Sequence, residues 1–443
     1  MATTSGQAME PAKGDFAVAH AGIFDFTGAF RGKRLDASDF VLALEKGWRF
    51  INALPFWMHD DTCFADKGFV DEAARVDPDS VHRYAFEPSA LIAVADYTGP
   101  SAAITPRTAL RRIMEKARNL GFEAYAGFEY ETIFLAEDGA SLRAKNWQGL
   151  DPALPHSRCW SGVAPAVDTY FLKAVHDQLS SCHINLAHHC MARGPGCVEY
   201  SLGPDPLLRA ADDAALLKVF TKALARRHGM TASFLTQLDE GSPGLGGHLS
   251  ISLRDRSGKP VLNGEGEPDG LSKTARAFLG GILAMTPQWM CMFAPTVNAY
   301  RRLRPGNRTP RTANWGLGNY ACAVRAVVSE PTTTRFEFRL PGADAMPHMT
   351  AAMVLGAGLW GIETSANPGK PLSGNGHPAR AAAGDELPTS LEEAARRFAR
   401  SEPARALFGA PFVDHYSAWC GAEAAAFHAH VSAFERARYL ETV

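Results

Sequence analysis

Thr334-Arg335-Phe336-Glu337-Phe338-Arg339-Leu340-Pro341 alternates charged and apolar residues with a period of two, the pattern of a half-buried strand whose successive side chains point to opposite faces. Arg335, Glu337 and Arg339 then share one face, while Thr334, Phe336, Phe338 and Leu340 line the other against a core. A carboxylate flanked by two cations looks into a single space. An edge strand that carries charges against aggregation has the same pattern, so the rest of the chain must decide between the two.

Residues 122–135 alternate in the same way and put Glu129 and Glu131 on one face with Gly127. Such neighbouring carboxylates repel unless cations sit between them. A further strand at 198–202 carries Glu199, and one at 247–253 carries His248 in phase with Ser250 and Ser252. Between these two, 206–228 reads as a long helix with an apolar stripe through Leu208, Ala211, Ala215, Val219 and Leu224. Four strands thus offer Glu129, Glu131, Glu199, His248 and Glu337 inward. Mostly hard oxygen donors with one imidazole suit Mg2+ or Mn2+ better than zinc, and the adjacent arginines suit a phosphoryl group. A second cluster, His183, His188, His189, Cys190 and Cys197, has no zinc-finger spacing. No Gly-x-x-x-x-Gly-Lys-Ser/Thr loop is present, so any nucleotide is held in another way.

Residues 16–98 mix short apolar runs with one helical pattern at 38–46, after a turn-like 30–34, and suggest a small α+β domain. Within it, Leu54-Pro55-Phe56-Trp57-Met58-His59-Asp60-Asp61 reads as a loop mixing aromatics and acids, an ordinary turn or one wall of a site. Residues 101–106 read as a hinge, 108–120 as a helix stopped by Gly121, and Asp138-Gly139 as a turn. Residues 1–13 read as a loose tail without the regions of a signal peptide. No apolar run approaches the ~20 residues that span a bilayer, so the expected location is cytoplasmic, with no membrane partner. The 443 residues are 46% hydrophobic and 21% charged, with 45 Lys+Arg against 47 Asp+Glu. A net charge of −2 without a basic, aromatic-interleaved run argues against nucleic acid. The eight cysteines lack framework spacing and read as reduced thiols.

Taken together, Gly127-Phe128-Glu129-Tyr130-Glu131, Ala210-Ala211-Asp212-Asp213, 228–234 followed by Gly246-Gly247-His248, 295–302, 339–344 and 434–440 resemble the glutamine synthetase family, especially its branch of γ-glutamyl ligases acting on amines. The resemblance runs along nearly the whole chain. It implies an α+β fold, with a small N-terminal β-grasp-like domain over 14–102. A large glutamine-synthetase-type α/β catalytic domain over 103–443 would contribute strands to a shared active-site barrel. It also implies a homo-oligomer of stacked rings with each site between neighbouring subunits. The expected cofactors are ATP and Mg2+ (or Mn2+), and the small-molecule substrates glutamate, an amine and ATP. By resemblance Glu129, His248 and Glu337 match one metal position, and Glu131 with Glu199 the other. Arg302 matches the arginine that holds the glutamate α-carboxylate. Arg325 matches one that neutralises ATP phosphates, and Arg339 one that stabilises the acyl-phosphate. Glu131, Gly244, His248, Arg302, Arg308 and Arg339 fall on substrate-binding positions, and Arg335 and Tyr320 join Arg325 on the nucleotide side.

Departures from the family pattern point to a changed acceptor. Ala192 stands where the family has a second glutamate for the Glu131 metal. The family's Pro-Gly-Gln-x-Glu reads Pro195-Gly196-Cys197-Val198-Glu199, its Asn-Gly reads Pro243-Gly244, and its Asn-Arg reads Asn319-Tyr320. The flap motif Gly-Tyr-Glu-Ala-Pro reads Gly306-Asn307-Arg308-Thr309-Pro310, which reverses a charge. Arg308 disfavours a cationic acceptor, so the expected amine arrives uncharged, as an aromatic amine does, or carries its own anion. Phe56 and Trp57 are expected to stack on its ring; if instead Arg308 points into solvent, Asp60 or Asp61 alone provides the charge the amine needs. The alternative is a divergent glutamine synthetase-like protein with a binding or regulatory role and little catalysis.

Overall fold

The computed structural model describes residues 16–304, 306–377 and 386–442; the expected tail at 1–13 lies outside them. Two sheets organise the chain. The first, six-stranded, runs Phe30–Asp36, Val18–Phe24, Ala90–Tyr97, Asp71–Val76, Trp48–Ile51, with His82–Arg83 paired to the side of Ala90–Tyr97. Val18–Phe24 lies parallel to Ala90–Tyr97, and the remaining pairs are antiparallel. Its central strand is apolar and buried from Ala90 to Ala95 because both faces are covered there. Leu91, Ala93 and Ala95 enter a small core with Phe40 and Ala43 of the helix Ala37–Lys46, whereas Ile92 and Val94 enter the large core of the rest of the chain.

The second, nine-stranded sheet runs Trp315–Leu317, Val324–Val327, Arg335–Phe338, Gly247–Asp255, Phe122–Leu135, Cys197–Leu202, Leu186–Met191, with Asp205–Pro206 and Thr231–Ser233 also paired to Phe122–Leu135. Arg335–Phe338 therefore sits inside the sheet, bonded on both sides, and the edge-strand reading of its charges falls away. In Phe122–Leu135 the side chains of Ala124, Ala126, Phe128 and Tyr130 are buried against helices, while Tyr125, Gly127, Glu129 and Glu131 stay partly open on the opposite face. The helices Pro106–Asn119 and Leu207–Arg227 cover the first of these faces, and Pro347–Thr364 packs on both of them and on Lys273–Met285. Pro347–Thr364 is apolar around its whole circumference, as a helix enclosed by others must be. Its crossing with Lys273–Met285 is set by Gly281 and Gly361: a Cβ at Gly281 would lie 2.0 Å from the Ala357 carbonyl oxygen.

Two local expectations are corrected. Asp138 does not make a turn but caps the short helix Gly139–Ala144, its carboxylate accepting from the N–H groups of Ala140 and Ser141 at 2.8 Å. Asp serves turns and N-caps by the same side-chain-to-backbone bond, so the dipeptide alone could not separate them. Residues 101–106 are not a loose hinge: Pro100–Ile104 forms a 3₁₀ helix, and Ser101 donates through both N–H and hydroxyl to the buried Glu72 carboxylate at 2.8 Å.

Candidate active site

Strand register assembles the site. His248 lies directly opposite Glu129, Glu337 opposite Arg325, and Glu131 opposite Glu199. Because the period is two, all these groups stand on the face turned away from the helices. His248 Nδ1 is 3.6 Å from a Glu129 carboxylate oxygen and 3.9 Å from one of Glu337. Ligand atoms of Glu129, His248 and Glu337 lie within 4.8 Å of one another, the one such grouping among the described residues. Two carboxylates and an imidazole at that spacing form a donor set that fits a hard divalent cation. The His183, His188, His189, Cys190 and Cys197 set forms no such group.

Glu337 is almost wholly buried and accepts from Arg325 at 2.7 Å and from Arg339. The Arg325 guanidinium carbon sits 3.9 Å above the centre of the Tyr320 ring and that of Arg339 5.1 Å away, while Arg339 Nε donates to the Tyr320 carbonyl at 3.1 Å. Tyr320, where the family pattern has an arginine, is therefore a plate that holds two other arginines. Arg335, at the start of the strand, donates to the Thr333 carbonyl and has no bond to Glu337.

Charge is unevenly distributed across this face. Burial pushes the Glu129 carboxyl upward, but His248 and Arg339 outweigh it and the net shift is downward. Glu199 is pushed up to about 7 by burial and then by Glu129 and Glu131. The arginines pair directly with Glu337 at one end of the face, whereas Glu131 and Glu199 at the other feel Arg302 and Arg339 only through space. Glu131 is partly satisfied by the Gly246 N–H. Ala192, fully buried, offers no ligand there. Opposite Glu199 on the edge strand stands Cys190, whose thiol is pushed up to about 12 by burial and by Glu199, with Cys159 nearby. The sequence reading missed Cys190 as a neighbour of this site; its period-two phase in Leu186–Met191 was the available signal.

Arg302 is buried, and its stem packs on Gly244, where a Cβ would meet its Cγ at 2.7 Å. It donates to the carbonyls of Leu340 at 2.8 Å and Arg339 at 3.4 Å, and burial lowers its pKa to about 10. Arg308 is exposed, with no hydrogen bond or ion pair among the described residues, and its charge reaches His377 and Cys159. Its neighbour Asn307 is fixed, donating to Gln237 Oε1 at 3.1 Å and to the Arg302 carbonyl at 2.9 Å.

Among the described residues, the 54–61 loop makes no hydrogen bond, ion pair or ring contact with this constellation. Asp60 is exposed and accepts from the Thr62 hydroxyl at 2.6 Å, and Asp61 pairs with Arg31 at 2.7 Å. The loop is tied to the helix Ala410–Ala429 by His415, which is 2.9 Å from the Pro55 carbonyl, and by Trp419, which donates to the Trp57 carbonyl at 2.9 Å. Phe56 is committed to packing against Phe64, Phe69 and His415, which removes it as a surface for a substrate ring. Trp57 lies under the Arg31 guanidinium.

Known proteins resemble the chain along nearly its whole length. The profile of the glutamine synthetase catalytic domain matches residues 103–439. A glutamate–isopropylamine ligase of Pseudomonas sp. is 31% identical over 95% of this chain and 94% of its own length. A γ-glutamylethanolamide synthetase of Streptomyces coelicolor is 31% identical over 94% of this chain and 91% of its own. The solved structure of a GmaS/ADP complex superposes with a TM-score of 0.84 at 26% identity, covering 96% of this chain and 97% of that one. The chain belongs to the glutamine synthetase family and is an ATP-dependent ligase that joins carbon to nitrogen.

Proposed function

We propose that the protein forms a γ-glutamyl amide from glutamate and an amine other than ammonia, an uncharged aromatic or an anionic amine being favoured, by way of an acyl-phosphate. The observation that carries this reading is the single sheet face on which Glu129, His248 and Glu337 converge beside Arg325 and Arg339. Glu129, His248 and Glu337 would hold one Mg2+ or Mn2+, and Glu131 with Glu199 a second; when bound, such ions neutralise phosphate oxygens. Arg325 and Arg339 present fixed positive charge where phosphate charge develops, and Tyr320 holds both guanidinium groups in place so that little reorganisation is needed. Arg302, against Gly244, orients the acid's α-carboxylate, and His248 is held between two carboxylates.

Assembly into rings with each site completed by a neighbour is part of this reading. It is supported by the Asp60 loop making no hydrogen bond, ion pair or ring contact with the carboxylate face among the described residues of one chain. The exposed Trp147, Trp160, Val163, Val167 and Tyr170 supply an apolar surface to cover. The binding or regulatory alternative draws on Ala192, Tyr320 and Arg308. Release of ADP and phosphate with Mg2+, glutamate and a panel of ammonia, ethylamine, a diamine, aniline and an aminobenzoate decides between them. Aniline or the aminobenzoate should lead; ammonia or the diamine as clearly best acceptor overturns the amine preference, and no turnover with any amine favours the alternative.

A further inference from the structure

Arg302 sits on Ala299–Arg302, a helix of one turn. A single turn does not fix its own position, and the carbonyls at its exit lack partners inside the helix. Both ends are tied to Gln237. At the entry the bonding is reciprocal: Asn298 Oδ1 accepts from the Gln237 N–H at 2.8 Å, and Asn298 Nδ2 donates to the Gln237 carbonyl at 2.9 Å. At the exit, Asn307 Nδ2 donates to the carbonyls of Arg302 at 2.9 Å and Arg301 at 3.4 Å, and to Gln237 Oε1 at 3.1 Å. Gln237 is buried, and its Nε2 donates to the Asp239 and Ser242 carbonyls at 2.8 and 2.6 Å. Two carbonyls on one side and an N–H on the other decide which way an amide points. Oε1 also stands beside Gly244, where an added Cβ would lie 3.2 Å from it and 2.7 Å from Arg302 Cγ. Gln237 therefore bounds Arg302 at its entry, its exit and its stem. Arg302 is 5% exposed; its guanidinium donates to the carbonyls of Leu340 and Arg339, while its buried Nε has no hydrogen-bond partner among the described residues. An open donor on a buried cation is costly until an anion meets it, and a carboxylate matches the guanidinium fork.

We infer that Gln237 is a positioning residue for the donor acid, acting through Asn298, Asn307 and Gly244 to set where the Arg302 guanidinium meets the α-carboxylate. This rests on the reading above in which Arg302 holds that group. The α-carboxylate makes and breaks no bond, so its contact with Arg302 is the same before and during the reaction. Loss of that contact raises KM for the acid and leaves kcat. A residue that served the fold alone would lower stability and favour neither constant.

The test is calorimetric binding of glutamate with ADP and Mg2+ present, followed by steady-state kinetics with the best acceptor of the panel above. Gln237→Met keeps the length of the side chain and removes its amide. Asn307→Ala, at the partly exposed end of the link, repeats the test should Gln237→Met fold poorly. Each variant should weaken glutamate binding and raise its KM about tenfold, with kcat and the KM for ATP within about twofold of the parent. The two effects should fail to multiply in the double variant, because both residues act on Arg302 through one shared contact. Glutamate binding that both variants retain in full, a loss confined to Tm or to kcat, or effects that multiply would each overturn the positioning role and leave the ligase reading standing. A parent enzyme that binds no glutamate overturns the reading of Arg302, and the positioning role falls with it.

Discussion

Two buried carboxylates in this molecule each sit between cations, and they do opposite work. Asp212 accepts both Nε and Nη2 of Arg107 at 2.8 and 2.7 Å and lies 2.8 Å from His348; Arg107 and Arg111 also reach Asp77 and Asp96. Burial raises the Asp212 carboxyl, but Arg107 overrides it and the net shift is strongly downward. Every charged group there has a partner, and the cluster ties the first sheet to the helices Pro106–Asn119, Leu207–Arg227 and Pro347–Thr364. Glu337, equally buried, has its arginines on one side and on the other an acidic face ending in Glu199, which is held partly protonated near neutrality. A closed cluster stores stability; an open one is poised for a ligand cation and a phosphate.

The largest expected effect breaks the closed cluster. Arg107→Met leaves Asp212, Asp77 and Asp96 facing one another in low dielectric, and removal of one partner from a buried pair costs about 3–5 kcal/mol. Thermal unfolding should show a large fall in Tm or no soluble protein; an unchanged Tm would mean that the carboxylates find other partners. At the open cluster the outcome should reverse. Glu337→Ala should cut turnover by roughly a thousandfold and leave the Tm and the assembly intact, because Arg325 and Arg339 still reach solvent at 18% and 17% side-chain exposure. Near-normal turnover in this variant rules out the metal-centred reading. Removal of divalent ions with a chelator should give the same loss, restored by Mg2+ or Mn2+.

Arg339→Ala sharpens the contrast. Its charge is needed chiefly as phosphate develops, so kcat should fall about a hundredfold with little change in KM; an effect confined to KM contradicts that role. Arg308→Glu is the smallest. It restores negative charge at the flap and should shift the ratio of kcat/KM for ammonia over aniline by about tenfold, measured side by side at fixed ATP and glutamate.

Alternation by itself determined the strands and the face each carboxylate occupies: Phe122–Leu135 begins and ends where the pattern does, and Glu129, His248 and Glu337 meet because a period of two leaves each side chain one choice of face. The helices 38–46, 108–120 and 206–228 were legible for a similar reason, since a buried stripe and a Gly stop are local features. Tertiary structure alone decided how far each neighbour lies across the sheet. Register set Cys190 against Glu199 and Ile133 against Cys197, and the loop between Trp315–Leu317 and Val324–Val327 brought Tyr320 beneath two arginines, none of which sequence separation encodes. It also turned Arg107 from one residue of a helix into the partner of three aspartates on distant elements, and it spent Phe56 on packing that its composition left open. Local pattern fixes direction because backbone geometry is short-ranged; the identity of a partner depends on which distant segments the core brings together, and that is settled only when the apolar faces close.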